Sequence, residues 1–151
     1  SGKLHRNFMG YTPFDTGLNL ALGASSISDS WTAFVQNEKK IETYQARIAQ
    51  GEFPIIKGHL LSLEDQILRK HILNTMCRLE TNWCHLADQT NFLNQAMERL
   101  QPLEEDGLVQ LAPQGLKVTA EGQPFIRNIC LALDQHYWAK RPEGQLFSQV
   151  V

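Results

Sequence analysis

Leu108-Val109-Gln110-Leu111-Ala112-Pro113-Gln114-Gly115-Leu116-Lys117-Val118-Thr119 is the stretch that decides the fold. Residues 108–112 and 116–119 read as two short strands. Pro113-Gln114-Gly115 between them reads as a three-residue hairpin loop carrying a glycine. Upstream, Thr90 to about Leu103 has helical spacing, with Phe92, Ala96 and Leu100 on one face and Gly107 as its end. Further back, Ser62 and Asp65 have the spacing of a capping box, with Asp in place of the usual Glu. They open a helix in which Leu68, Ile72 and Met76 recur every four residues, flanked by Leu61, Leu73 and Leu79. Downstream, Thr119 or Glu121 starts a last helix with Phe125, Ile126, Ile129, Leu131 and Leu133 on its apolar side and Pro124 in its first turn.

Helix, helix, β-hairpin, helix is the element order of a winged-helix module. The chain is therefore expected to be mainly α with a small β component, with residues 59–151 forming a winged-helix-like C-terminal domain. Residues 1–58 read differently. Leu18, Leu20 and Leu22 alternate, which suggests a short strand. From Trp31 to Ile48 the pattern turns helical, with Ile41, Tyr44 and Ile48 at spacings of three and four and Asn37 as the expected cap. Gly51 ends that segment. Phe53-Pro54-Ile55-Ile56-Lys57-Gly58 reads as an extended linker, because Pro54 biases Phe53 away from the helical region.

The bulk numbers restrict function. The 151 residues carry 14 basic and 16 acidic side chains, a net charge of −2. That balance disfavours phosphate-backbone binding, and the expected recognition helix with Asn91, Asn94, Gln95 and Glu98 has Arg99 as its one basic residue. No nucleic-acid partner is expected, although a docking winged helix for protein or nucleic acid remains the alternative function. No apolar run is long enough for a membrane span. The start, Ser1 to Arg6, lacks the apolar core of a signal peptide and an initiator Met, so the chain is expected to be processed or, as favoured, a piece cut from a longer protein, with a cytoplasmic location expected from its thiols. Cys77, Cys84 and Cys130 have neither disulfide-framework nor zinc spacing and read as reduced thiols, Cys77 and Cys130 as small core residues. His5, His59, His71, His85 and His136 contain no HxxxH pair, so no metal site is expected. No catalytic residue stands out either. What remains is the glycine-bearing start. Gly10 and Gly23 permit close backbone approach to a ligand, with Phe8, Met9 and Ile27 as an apolar wall and hydroxyls on Tyr11, Thr12, Ser25, Ser26 and Ser28.

Those segments carry a resemblance. Leu4-His5-Arg6-Asn7-Phe8-Met9-Gly10-Tyr11-Thr12, then Gly23-Ala24-Ser25-Ser26-Ile27-Ser28, then Val35-Gln36-Asn37 resemble the oxygen-independent coproporphyrinogen III oxidases, a radical S-adenosylmethionine family. Leu103-x3-Gly107-Leu108-Val109, Val118-Thr119-x2-Gly122 and Ile126-Arg127-Asn128-Ile129-Cys130 are similar to that family's C-terminal domain. A haem-chaperone paralogue is less similar, since it has Gly-Ala-His where Ser25-Ser26-Ile27 stands. The resemblance implies that residues 1–58 are a remnant of the radical barrel edge plus a connecting helix and linker, and that 59–151 cap an active site. It implies oxidative decarboxylation of two propionates of coproporphyrinogen III, giving protoporphyrinogen IX. The cofactors implied are a [4Fe–4S] cluster and two S-adenosylmethionine molecules. Phe8, Met9, Gly10 and Ile27 would line the second of these, with Met9 where some members carry Gln. Arg6, with Lys3, would face a substrate propionate. The implied partner is an N-terminal radical domain. The cluster motif Cys-x3-Cys-x2-Cys is absent, so this chain alone is expected to hold no cluster and to be inactive.

Overall fold

The structure, a computed structural model, describes residues 4–7 and 10–140. They fall into two compact units, one ending at Arg69 and the other starting at Lys70.

The first unit is built from strands. β1 (His5–Asn7) and β2 (Gly10–Thr12) form a two-stranded antiparallel ladder. β3 (Leu18–Asn19), β4 (Ile27–Ser30), β5 (Ala33–Asn37) and β6 (Ile55–Leu60) form a second, four-stranded antiparallel sheet in chain order. Helix α1 (Ile41–Ala49) lies between β5 and β6 in sequence. Four expectations need correction here. The helical pattern read from Trp31 begins only at Ile41, because Ala33–Asn37 is strand β5. The segment read as a linker is strand β6, paired with β5 from Ala33↔Leu60 to Asn37↔Ile55 with a bulge at Gln36/Asn37. All six of its residues are exposed, so it lacks the apolar–polar alternation that marks a half-buried strand. The alternating leucines form a strand only at Leu18–Asn19; Ala21 N–H instead donates to Ser28 Oγ at 3.0 Å. Asn37 does not cap α1. The N-cap is Lys40, with no side-chain cap bond, and just ahead of it the Glu38 carboxylate accepts from the backbone N–H groups of Lys39 and Lys40 at 2.8 and 3.2 Å. Those bonds, Lys40's first, hold its carboxyl below the usual range.

Helix α2 (Leu63–Arg78) starts as its sequence says. Ser62 N–H and Oγ donate to Asp65 at 2.9 and 2.8 Å, and Asp65 N–H donates back to Ser62 Oγ at 3.1 Å. This is the reciprocal capping box with Asp in the Glu role.

The second unit contains β7 (Glu80–Asn82), α3 (Phe92–Glu105), β8 (Val109–Ala112), β9 (Gly115–Val118), α4 (Ile126–Leu131) and α5 (Gln135–Ala139). Its sheet has the order β7-β9-β8, all antiparallel. β7 has no counterpart in the sequence reading. It follows Leu79, a non-glycine residue at φ 63°, whose carbonyl accepts from Val118 N–H at 2.7 Å. The hairpin is tighter than expected: Ala112 pairs with Gly115, leaving the two-residue loop Pro113-Gln114. Gly115 therefore serves the strand rather than the turn. A Cβ there would lie 2.8 Å from the Thr81 carbonyl oxygen of β7.

α3 ends in a Schellman motif. Leu108 N–H bonds Leu103 C=O at 2.8 Å and Gly107 N–H bonds Glu104 C=O at 2.9 Å, with Gly107 at φ 73°. Next to it, Thr119 Oγ donates towards the Gly107 and Leu108 carbonyls at 2.8 and 3.0 Å and accepts from Gly122 N–H at 3.0 Å. The Val118-Thr119-x2-Gly122 run is thus a clamp that holds the exit of β9 against the entry of β8.

The described residues are mixed α and β rather than mainly α, since nine strands accompany five α-helices. Short strands with exposed or polar positions leave little periodic signal. Apolar burial is also uneven. Among the described residues, the buried apolar side chains other than Leu68 and Pro54 belong to the second unit, with Leu93, Leu100, Val109, Ile129 and Leu133 nearly inaccessible. Each such side chain is worth about 1.5–3 kcal/mol of transfer free energy. The first unit keeps its large apolar side chains outside: Phe14, Leu20, Leu22 and Phe53 are among those exposed.

Candidate functional site

The glycine-bearing start is placed in two pieces. Arg6 and Gly10 share the β1–β2 ladder, opposite Tyr11 and Asn7 respectively. Ile27 opens β4 in the other sheet, opposite Gln36. Phe8 and Met9 lie outside the described residues. Arg6 is half-buried, with its guanidinium carbon 5.3 Å from the centre of the Tyr11 ring, a cation–π geometry. Gly10 has φ 125°, which favours glycine, and nothing lies within 4 Å of where a Cβ would project. Ile27, in the other sheet, is half-buried. The cysteines do not fit a cluster. Cys130 is buried with its thiol directed at Ile72 C=O, Cys84 is exposed, and Cys77 lies between these extremes. Among the described residues, no grouping of metal-ligand side chains includes a cysteine.

The turn leading into Ile27 is the most elaborately bonded loop of the first unit. Asn37 Nδ2 donates towards Ala21 C=O at 3.3 Å, Gly23 C=O at 3.1 Å and Ser26 Oγ at 3.1 Å. Ser26 Oγ donates to Gly23 C=O at 2.6 Å, and Gly23 N–H donates to Tyr44 Oη at 3.1 Å. Asn37 N–H bonds Ser26 C=O and Ser25 N–H bonds Glu38 C=O. Gly23 and Ser25 both have positive φ, 102° and 63°. The sequence pointed to Asn37 as a cap and as part of a family run, but not to this role. A polar amide in a strand beside a Gly-x-Ser-Ser turn was the available signal.

At the far end of β4, Asp29 is buried and held by Arg69. Nη2 reaches both carboxylate oxygens at 2.7 and 2.9 Å, and Nη1 reaches Ser30 C=O at 2.8 Å. The same guanidinium lies over the Trp31 and Phe34 rings at 5.1 and 4.7 Å. Neither residue stood out in the sequence, because a single Asp and a helical Arg forty residues apart carry no local pattern.

In the second unit the notable polar group is His71, fully buried on α2. Its Nε2 is 2.8 Å from Asp88 C=O and its Nδ1 is 2.8 Å from Thr81 Oγ. A carbonyl only accepts, so Nε2 carries the proton and Nδ1 accepts from the threonine hydroxyl. The Trp83 ring meets the imidazole edge-on at 5.5 Å. Burial holds the His71 pKa below its ordinary value. Lys70 Nζ bonds the Asp88 carboxylate at 2.6 Å and lowers its pKa. On α3, the expected reader of a groove, Arg99 is stacked at 4.8 Å on Phe92 and 4.5 Å on Trp138. Its charge is engaged inside the unit.

Residues 61–125 match the HemN C-terminal domain family. Across 99% of its length the chain is 35% identical to the oxygen-independent coproporphyrinogen III oxidase of Escherichia coli strain K12, covering 34% of that protein. It is 33% identical to the enzyme of the same name from Thermostichus vulcanus, over the whole chain and 48% of that protein. A solved structure, described as the coproporphyrinogen III oxidase HemN from Escherichia coli, a radical SAM enzyme, matches with a TM-score of 0.82 and 31% identity. That match covers 89% of this chain and 32% of the other. The chain spans about a third to a half of the length of these relatives. Residues 61–125 are thus similar to the HemN C-terminal domain, and the chain as a whole is similar to part of the oxygen-independent coproporphyrinogen III oxidases. No helix among the described residues is long and apolar enough to cross a membrane.

Proposed function

We propose that this chain is the C-terminal part of an enzyme that oxidatively decarboxylates coproporphyrinogen III to protoporphyrinogen IX. The observation that carries this reading is the likeness to the HemN structure, a TM-score of 0.82 over 89% of the chain. In this reading Gly10 and Ile27, with Phe8 and Met9 just before Gly10, are one wall of a pocket for a second S-adenosylmethionine. S-adenosylmethionine reduced by the [4Fe–4S] cluster would supply the radical that abstracts hydrogen from substrate. Gly10 offers open backbone and Ile27 an apolar surface to such a ligand, and Arg6 offers a cation to a propionate. The first 58 residues act as the edge of the radical barrel. The exposed Leu18, Leu20 and Leu22 support this, because exposed apolar groups call for a cover. The order α2, α3, β8–β9, α4 is winged-helix-like, and residues 59–151 act as the cap that helps exclude water. In this reading the [4Fe–4S] cluster belongs to an N-terminal radical domain, and the chain alone catalyses nothing.

The test is anaerobic turnover of coproporphyrinogen III by the full-length protein with its cluster reconstituted, beside the chain alone. Protoporphyrinogen IX formation by the first and none by the second is expected. No product from a cluster-loaded full-length protein refutes the reading, and cluster absorbance in the isolated chain refutes its division of labour. Arg6→Ala in the full-length enzyme should raise the KM for substrate; an unchanged KM removes Arg6 from the site.

A further inference from the structure

We propose that Asn37 is a positioning residue for the ligand wall, fixing the Gly23–Ser26 turn so that Ile27 presents one surface to S-adenosylmethionine. This rests on the reading that Ile27 lines that ligand. One amide reaches three oxygens across this turn, at 3.1 to 3.3 Å. Two of them are carbonyls, which accept only, so the amide nitrogen rather than its oxygen must face them. The third, Ser26 Oγ, spends its own proton on Gly23 C=O and accepts from Asn37. Tyr44 Oη and the Glu38 carbonyl hold the turn from the next segment of chain.

The turn does nothing for a core: no residue from Ala21 to Ser28 is buried. Yet it holds Ser25 at φ 63°, a conformation disfavoured for a residue with a side chain. Backbone strain and a converging polar network on a surface segment are what a preorganised binding wall requires. Ile27 follows directly, paired with Gln36, the neighbour of Asn37. A shift of the turn therefore moves Ile27 before it moves any core residue.

The test uses the full-length, cluster-loaded enzyme and equilibrium dialysis with labelled S-adenosylmethionine. Asn37→Asp keeps the shape but replaces two donors with a carboxylate facing three oxygens. Loss of two hydrogen bonds predicts at least about a tenfold weaker second S-adenosylmethionine site. Ser26→Ala, which keeps Asn37, should weaken it several-fold in the same direction, and it decides the matter if Asn37→Asp does not fold. The KM for S-adenosylmethionine should rise in both while that for coproporphyrinogen III stays put, a split that general destabilisation does not produce. Wild-type affinity in both variants, with Ile27→Ala weakened, overturns the role of Asn37 and leaves the wall intact. If Ile27→Ala also binds normally, or the wild type holds a single molecule, the wall reading itself falls.

Discussion

Gly122→Ala sets two effects of one methyl group against each other. Gly122 has φ −77°, a conformation alanine adopts freely. With no other effect, the change would stabilise the fold by about 0.4–1 kcal/mol, because the unfolded chain loses freedom. The methyl, however, would overlap the Leu108 carbonyl oxygen, sit 2.8 Å from its carbon and 3.1 Å from Val118 Cγ1. Ordinary contacts between carbon atoms are about 3.5–4.0 Å, and the main obstacle is backbone that cannot rotate aside. The 119–122 turn must then draw back from β8. That opens Thr119 N–H to Leu108 C=O, now 3.1 Å, and the Thr119 hydroxyl bonds to Gly107 and Leu108 at 2.8 and 3.0 Å. Two or three such bonds at about 1 kcal/mol each, set against that gain, leave a net loss of about 1–2.6 kcal/mol. For a chain of this size that lowers Tm by roughly 2–10 °C. Urea titration followed by far-UV circular dichroism measures it, with Gly17→Ala as the control, since nothing lies within 4 Å of that position. A Gly122→Ala protein as stable as wild type, or more so, would refute the clamp.

Three further outcomes are expected. Arg69→Ala leaves the Asp29 carboxylate buried without its bidentate partner and should cost about 3–5 kcal/mol, whereas Asp29→Asn/Arg69→Ala should cost less; a double-mutant cycle reads the coupling. His71 has a depressed folded pKa, so the unfolded chain binds its proton first as pH falls. Stability is then full above about pH 6.5 and declines below it by up to about 1.4 kcal/mol per pH unit until the folded pKa is passed. His71→Leu should flatten that slope and lower stability by about 2–4 kcal/mol, since the Thr81 hydroxyl and Asp88 carbonyl lose their partner. Gly115→Ala should cost more than about 1 kcal/mol, because its methyl would press on the Thr81 carbonyl of β7; protection of the Trp83 N–H, bonded to Gln114 C=O, should fall in hydrogen exchange.

Local chemistry was legible where it is carried by neighbours in sequence. The Ser62–Asp65 box, the Gly107 stop and the Phe92, Ala96, Leu100 face of α3 all appear as read. Features fixed by distant partners were not. β6 has no alternation because no face of it is covered, and β7 is three residues following a left-handed leucine. Gly115 looked like a turn residue because glycine usually is one; here it makes room for another strand. His71 sits on the buried side of α2 with Leu68 and Thr75, where periodicity of apolar residues alone pointed to Ile72 and Met76. At the candidate site, the residue types of the wall were evident, but the Asn37 hub depends on three oxygens between eleven and sixteen residues away.

The one-sided distribution of buried apolar residues bears on how this chain answers a denaturant. Trp83 is 5% exposed in the second unit, whereas Trp31 in the first is 44% exposed. Emission from Trp83 therefore follows the cooperative loss of packing, while Trp31 starts close to its solvated colour. The m-value and the heat-capacity increment, which scale with surface newly wetted, are set mainly by residues from Lys70 onward. Substitutions at the exposed apolar positions of the first unit, such as Leu20 and Leu22, will be read chiefly in solubility and self-association, and those at the buried apolar positions of the second in the midpoint of unfolding.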